Sequence, residues 1–338
     1  MPTVAFDMRD AFAPKPHGSG IYARRLAAAL GSAADSVDLD YWFLERGGRA
    51  PELWWEQVTL PRLLRGRRPA LVHAPNCFLP LRRPCPGVVT VHDLAFEDHR
   101  DDFSRRTGWK YRTMTRRAAR SAERVICVSN FTRDDVCARY GVDGDRTRVV
   151  PIAPSLPAGS AKPPPGRYLL YAGDLRPKKN LVTLVRAWRR LRGEGLEQRL
   201  VLAGRDFGVG DDLRAAAGPE PIELPGFVDD EALDALMRGA DALVQPSLYE
   251  GFGMAVVEAM VRGCPTILAR ATALPETGGD AAEYFEPREE ADIARAIRAV
   301  VDDPARTAEL IERGDARAAE LSWERTAAST MAVYRELL

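Results

Sequence analysis

The sequence predicts an α/β protein built from two doubly wound, Rossmann-like domains in tandem. Three observations carry this expectation. The chain has 338 residues, more than one ordinary core encloses. Short apolar runs alternate with helical patterns in two successive series, a βαβ rhythm that implies parallel sheets covered by helices. Between the series, residues 157–166 read PAGSAKPPPG. Three successive prolines followed by glycine suit neither a central strand nor a helix interior, so this stretch reads as a linker.

In the first series the strand candidates are Val4–Phe6, Leu39–Leu44, Leu71–His73, Val88–His92, Val125–Val128 and Val149–Pro151. Helical patterns cover Ile21–Leu30, the Arg- and Ala-rich Ser104–Ala122, and Asn130–Tyr140, with Asn130 or Thr132 as the expected N-cap. The second series has strands at Tyr168–Ala172, Leu200–Ala203, Ile222–Leu224, Ala242–Gln245, Thr266–Leu268 and Glu283–Phe285. Its helices are Leu181–Leu191, Asp229–Arg238, Gly253–Arg262 and Ala291–Val301, followed by Pro304–Leu321 and Trp323–Leu338. The expected domains are residues 1–157 and 168–321, joined by a linker at 158–167. Doubly wound sheets bind ligands outside the carboxyl ends of their strands, so a crevice between two such sheets is the expected site.

Composition excludes several classes. Lys plus Arg and Asp plus Glu both number 48, so no global charge pulls the chain toward nucleic acid or anionic lipid. The five cysteines (77, 85, 127, 137 and 264) form no C-x-x-C pair and read as reduced core thiols. The four histidines lack zinc-ligand spacing. No apolar run reaches membrane-spanning length, and the N-terminus lacks the basic start and apolar core of a signal peptide. A cytoplasmic protein is expected. The basic helix at Ser104–Ala122 leaves two readings: a solvated face, or contact with an anionic acceptor or a membrane surface.

Four stretches carry chemistry. The first is EGFGMAVVE, Glu250 to Glu258, which follows the strand Ala242–Gln245. Gly251 and Gly253 permit a tight turn, and a helix starting near Gly253 aims the N–H groups of Gly253, Met254 and Ala255 at an anion. Glu258 falls about one and a half turns along that helix amid Ala, Val and Met, where a carboxylate needs a partner; a ribose diol would serve. Glu250, before the turn, would face a reacting sugar. The second is GDLRPKKN, Gly173 to Asn180, whose Arg176, Lys178 and Lys179 crowd a strand-to-helix turn and suit a diphosphate. The third is HGSGIYARRL, His17 to Leu26, read as a glycine loop that opens a helix and lies over donor phosphates or sugar through Gly18 and Gly20. It is not a dinucleotide fingerprint, because residues 10–16 separate its glycines from the preceding strand. The fourth is TVHDLAF, which puts His92 and Asp93 at a strand end. A further pair, Asp38 and Asp40, resembles the D-x-D of metal-dependent transferases but is better explained as strand alternation.

Together these stretches resemble the retaining glycosyltransferases of family 4, which have the GT-B fold of two Rossmann-like domains facing a central cleft. The resemblance rests on EGFGMAVVEAMVRGCPTI, GDLRPKKNL, GSGIY, TVHDLAF, RVICVSNFTRDDV, LPGFVDDEAL and ALPETGGDAAEYF, in family order over nearly the whole chain. It implies that the second domain binds a nucleotide-sugar donor. Glu258 would hold the ribose and the turn at Phe227 and Val228 would border the base. Lys179, with Arg176 or Lys178, would neutralise the diphosphate. Glu250 would meet the donor sugar, and the turn at Gly253, Met254 and Ala255 would bind sugar or phosphate. From the first domain, Gly18 and Gly20 would approach the donor and His92 would stabilise the transition state. Residues 322–338 would form a helix crossing back to the first domain. One departure stands out: many relatives carry Arg after the glycine of the phosphate motif, and this chain has Asp174.

The implied reaction moves a hexose, mannose or a related sugar, to a hydroxyl of a glycan, lipid-linked or small-molecule acceptor. It proceeds with retention and requires no metal or other cofactor. The alternatives are a nucleotide-sugar epimerase or phosphorylase of the same fold, a nicotinamide-dependent dehydrogenase, and a non-catalytic sugar-nucleotide-binding protein.

Overall fold

The computed structural model describes residues 1–12, 18–33, 39–45 and 51–338. The chain divides into two compact units, Met1–Ser155 with Leu321–Leu338, and Leu156–Glu320. Each contains a six-stranded, wholly parallel sheet.

The first sheet comprises β1 (Thr3–Asp7), β2 (Asp40–Leu44), β3 (Leu71–Ala74), β4 (Gly87–Val91), β5 (Arg124–Cys127) and β6 (Thr147–Val149), in the order β2-β1-β3-β4-β5-β6. Its central strands are buried on both faces, which is why they read as continuous apolar runs. The strand order reverses between β1 and β3, the switch point at which such a sheet opens a ligand crevice. There Asn76, just beyond β3, donates to Asp10, just beyond β1, at 3.1 Å. The Trp323–Arg335 helix belongs to this unit. Its Tyr334 hydroxyl lies 2.6 Å from Nδ1 of the buried His73, whose Nε2 lies 2.8 Å from Thr90 Oγ1. Burial pushes the His73 imidazole down to about 3, so it is neutral in this setting.

The second sheet comprises β7 (Tyr168–Ala172), β8 (Arg199–Ala203), β9 (Glu223–Gly226), β10 (Ala242–Gln245), β11 (Thr266–Ala269) and β12 (Ala282–Phe285), in the order β12-β11-β10-β7-β8-β9. Its order reverses between β7 and β10. The proline-rich segment carries no helix or strand and lies against the Asp230–Gly239 helix. Ser160 donates to Glu231 at 3.0 Å, and Arg238 donates to the Ala161 carbonyl at 2.6 Å.

Two sequence expectations are corrected. The Asn130–Tyr140 helix is capped by Ser129, whose Oγ accepts from the Thr132 N–H at 3.1 Å; Asn130 and Thr132 already lie inside the first turn. Gly18, Ser19 and Gly20 form the first turn of the Gly18–Ala33 helix instead of a loop, because its buried face (Gly20, Tyr22, Ala23, Leu26, Ala27, Leu30) begins at Gly20. His17 and Asp38 fall outside the described residues, and Asp40 opens β2. Short helices at Leu60–Arg67, Gly210–Ala217 and Leu274–Gly278 were not anticipated, being too short for a clear period. No helix among the described residues is long and apolar enough to cross a membrane.

The first unit also buries a charge triad. Arg9 pairs with Asp7 at 2.6 Å and Glu56 at 2.8 Å, and all three side chains are at most 1% exposed. Arg9 donates as well to the Phe78 carbonyl at 3.2 Å and lies over the Trp55 ring. Removing one member of such a cluster strands the others without solvent. Arg9→Met is therefore expected to lower the stability of the first unit by about 3 kcal/mol, measured as a downward shift of its transition in differential scanning calorimetry.

Candidate active site

The loops that follow β7 and β10 flank the switch point of the second sheet. After β7 the chain runs through Gly173 to a single helical turn at Pro177–Lys179, and Asn180, with φ +56°, redirects it into the Leu181–Gly193 helix. Asn180 tolerates this left-handed geometry because its side chain is held, Nδ2 donating to the Pro287 carbonyl at 2.5 Å and Oδ1 accepting from Thr183 at 2.7 Å. After β10, Gly253 adopts φ +97° as the N-cap of the Met254–Met260 helix. A β-carbon there would sit 2.9 Å from Leu274 Cδ2, so it is the left-handed conformation, with some crowding, that favours glycine.

These two loops meet in an ion pair. Lys179 Nζ donates to Glu250 Oε1 at 2.6 Å, and the two side chains are 13% and 14% exposed. The same oxygen accepts from Gln245 Nε2 at 2.7 Å and Ser247 Oγ at 2.8 Å. The Glu250 N–H donates to Thr272 Oγ1 at 2.9 Å, and the Leu248 N–H donates to the Lys178 carbonyl at 2.9 Å. Burial alone would raise the Glu250 carboxyl, but the Lys179 and Lys178 charges and the donated hydrogen bonds outweigh it and hold it below the usual carboxylate range. Glu250 is thus an ionised acceptor, unsuited to donating a proton. Gln245, Ser247 and Thr272 escaped the sequence reading; a polar pair closing an otherwise apolar strand, Gln245 and Ser247, was the available signal.

Glu258 is buried at the far end of the short helix, 6% exposed, and it has protein partners. Oε1 accepts from the Leu156 N–H at 2.8 Å, and Oε2 pairs with Arg262 at 3.1 Å. Arg262 also pairs with Asp234 at 2.8 Å and donates to the Leu156 carbonyl at 2.8 Å. The burial of Glu258 therefore needs no ribose to explain it. Arg262, four residues on, was the partner legible in the helix spacing.

The loop after β7 also holds Arg176 and Asp174, and here the structure adds residues that sequence reasoning missed. Asp174 pairs with Arg176 at 3.6 Å and with Arg205, just beyond β8, at 3.3 Å. Arg176 lies 3.5 Å from the centroid of the Phe207 ring. The residue that departs from the phosphate motif is thus the anchor of two arginines from adjacent strand ends. Phe227 and Val228 follow β9 directly, with Phe227 62% exposed.

In the first unit, His92 sits one residue past β4 and its Nε2 donates to the Pro75 carbonyl at 2.8 Å; a carbonyl only accepts, so Nε2 carries the proton. Tyr22, on the helix that Gly18 and Gly20 open, packs edge-on against the His92 ring at 4.8 Å. Burial lowers the His92 pKa, against the raising effect of the Pro75 contact, Asp93 and Asp10. Gly18, Gly20 and His92 therefore gather at one edge of this unit's sheet. Lys178, Lys179, Arg176, Glu250, Gly253, Met254 and Ala255 gather at the switch point of the other.

Comparison with known proteins decides the family. Residues 1–153 match glycosyltransferase family 4, and residues 154–317 match the group 1 glycosyl transferases. The chain is 30% identical over 297 residues to the O-antigen chain mannosyltransferase B of Escherichia coli, an alignment covering 81% of this chain and 76% of that one. The chain belongs to glycosyltransferase family 4. Another family relative, the MMP α-(1→4)-mannosyltransferase of Mycolicibacterium hassiacum, is 29% identical over 329 residues, covering 90% of this chain and 80% of that one. Among solved structures, sucrose-phosphate synthase from Thermosynechococcus elongatus superposes with a TM-score of 0.72 at 21% identity over 100% of this chain and 99% of that one, a likeness of fold. This family 4 chain is a glycosyltransferase with the GT-B fold.

The Glu250 pair gives a stability test. The carboxyl titrates near 4.5 when unperturbed and lower in the folded chain, so its contribution is present above about pH 4.5 and is lost as pH falls through the folded value. Glu250→Gln keeps the shape and strands Lys179. It is expected to destabilise the second unit by about 3 kcal/mol at neutral pH and to flatten the acid limb, measured by urea unfolding across that pH range.

Proposed function

We propose that the chain transfers a hexosyl group, mannose by analogy with the two named relatives, from a nucleoside-diphosphate sugar to a hydroxyl of a glycan, lipid-linked or small-molecule acceptor, with retention of configuration. The observation that carries this reading is the Lys179–Glu250 pair at the switch point, beside the Gly253 turn. Cleaving a sugar–phosphate bond builds negative charge on the departing diphosphate and oxocarbenium character on the sugar. Fixed positive charge on the leaving group is then the most direct catalyst. Lys179 would bind the diphosphate with Arg176 or Lys178, and the Met254 and Ala255 N–H groups would add donors. Glu250, kept ionised, would accept from sugar hydroxyls while holding Lys179 in place.

In this scheme the acceptor hydroxyl attacks from the face the diphosphate leaves. Its oxygen bonds to the anomeric carbon as the carbon–phosphate oxygen bond breaks, and its proton passes to that leaving oxygen. No protein base and no metal are needed. His92, uncharged and turned by Pro75, would steady the transferred sugar, with Gly18 and Gly20 allowing close approach. Glu258 retains capacity for a ribose hydroxyl, since a carboxylate accepts up to about four hydrogen bonds.

The test is calorimetric titration of nucleoside diphosphates in the absence of magnesium, followed by turnover with the matching donor sugar. Binding without metal, and a product of unchanged anomeric configuration by NMR, are expected. Lys179→Ala should weaken diphosphate binding by roughly tenfold or more, as loss of a charge-assisted hydrogen bond does. Glu258→Gln should weaken nucleosides more than inorganic pyrophosphate. Alteration of the sugar without an acceptor would instead make the protein an epimerase.

A further inference from the structure

The second sheet's carboxyl edge is furnished beyond the diphosphate loop. Reading outward from β10, the strand ends present Glu250, then Lys179 and Arg176 after β7, then Arg205 and Phe207 after β8, then Phe227 after β9. Neighbouring strands lie about 4.8 Å apart, so the last of these sits roughly 10 Å from the diphosphate loop, within reach of the nucleoside end of a bound nucleotide.

The three loops after β7, β8 and β9 are fastened backbone to backbone. Gly173 N–H donates to the Ala203 carbonyl at 2.9 Å, Leu175 N–H to the Arg205 carbonyl at 2.8 Å, Phe207 N–H to the Leu175 carbonyl at 3.0 Å, and Gly204 N–H to the Gly226 carbonyl at 2.9 Å. A β-carbon on Gly204 would fall 1.8 Å from the Gly173 oxygen, so the loops touch with no side chain between them. On this shelf Asp174 accepts from Arg205 Nε at 3.3 Å, which braces the guanidinium. The Arg205 guanidinium carbon lies 5.8 Å from the Phe227 centroid, near the outer limit of about 6 Å for a cation over a ring. It lies as far from the Phe207 centroid, at 5.9 Å, a ring that Arg176 covers at 3.5 Å. An aromatic ring 62% exposed beside a braced planar fork is a platform for a flat, hydrogen-bonding ligand.

We propose that Arg205 is the base-reading residue of the donor site and that it selects a 6-oxopurine, guanine in a cellular donor. Resting on the donor-site reading above, this assignment adds the identity of the base. A base stacked on Phe227 brings its edge toward Arg205. The two-pronged guanidinium matches the adjacent acceptors O6 and N7 of guanine, whereas adenine offers a donor at position 6 and a pyrimidine has no such acceptor pair. Asp174 replaces the arginine common in relatives and supplies the counter-charge that holds the fork.

The experiment titrates the full chain with GDP, IDP, ADP and UDP. IDP lacks the 2-amino group but keeps O6 and N7, so it should bind within about threefold of GDP, while ADP and UDP should bind on the order of tenfold or more weakly. Arg205→Ala should reduce GDP and IDP to the affinity of ADP and leave ADP itself nearly unchanged. Arg205→Lys, which keeps the charge and loses the fork, should give the same loss of preference. Circular dichroism confirms that each variant is folded. Equal weakening of all four nucleotides by Arg205→Ala would make Arg205 a phosphate ligand and overturn the proposal, as would a wild-type preference for UDP or ADP. Failure of the wild type to bind any of the four would overturn the donor-site reading itself.

Discussion

All strands of a parallel sheet deliver their loops to one edge, and where the strand order reverses, adjacent loops lead away to opposite faces. In the second unit that divergence falls between β7 and β10, and a lysine from one loop grips a carboxylate from the other. Much of the site's order follows from this contact. Glu250 is fixed by three donors, so it presents a defined negative surface. Lys179 is set at the switch point by the Asn180 turn, and the Gly253 turn follows Glu250 by three residues. In the proposed reaction an ammonium held this way would be oriented before an anion arrives, as stabilising developing charge without reorganisation requires.

The parts of the fold that were legible in the sequence are those governed by local chemistry. Tyr168–Ala172 and Ala242–Gln245 were read with their observed limits, because buried parallel strands leave unbroken apolar runs. Gly253 announced its turn, since a glycine between a strand and a helix has few other uses. The errors share a cause as well. Ser129 competes with Asn130 and Thr132 for one cap, and all three are good capping residues, so only the backbone decides. The helix at Gly18 begins earlier than glycine propensity suggests because tertiary burial of Gly20 and Tyr22 outweighs it.

Long-range partnerships were the least legible. Glu258 needs a partner, and Arg262 at i+4 could be read from the helix spacing, but the Leu156 N–H, 102 residues away, could not. Thr272 and Arg205 reach the site from loops distant in sequence, whereas Gln245 and Ser247 lie within five residues of Glu250. The Arg9, Asp7 and Glu56 cluster is a similar case: Arg9 and Glu56, 47 positions apart, meet only through the tertiary fold. A one-dimensional pattern records how a residue suits its own element and says little about which neighbour the fold brings to it.

Asp174 has two arginines and one charge. Both guanidiniums lean on the same carboxylate. A ligand that draws Arg176 toward its own oxygens leaves that carboxylate wholly to Arg205 and tightens its grip there. The two ends of a nucleotide would then not be sensed separately: engagement at one end stiffens the reader at the other, and the molecule is recognised as a whole instead of as the sum of its fragments.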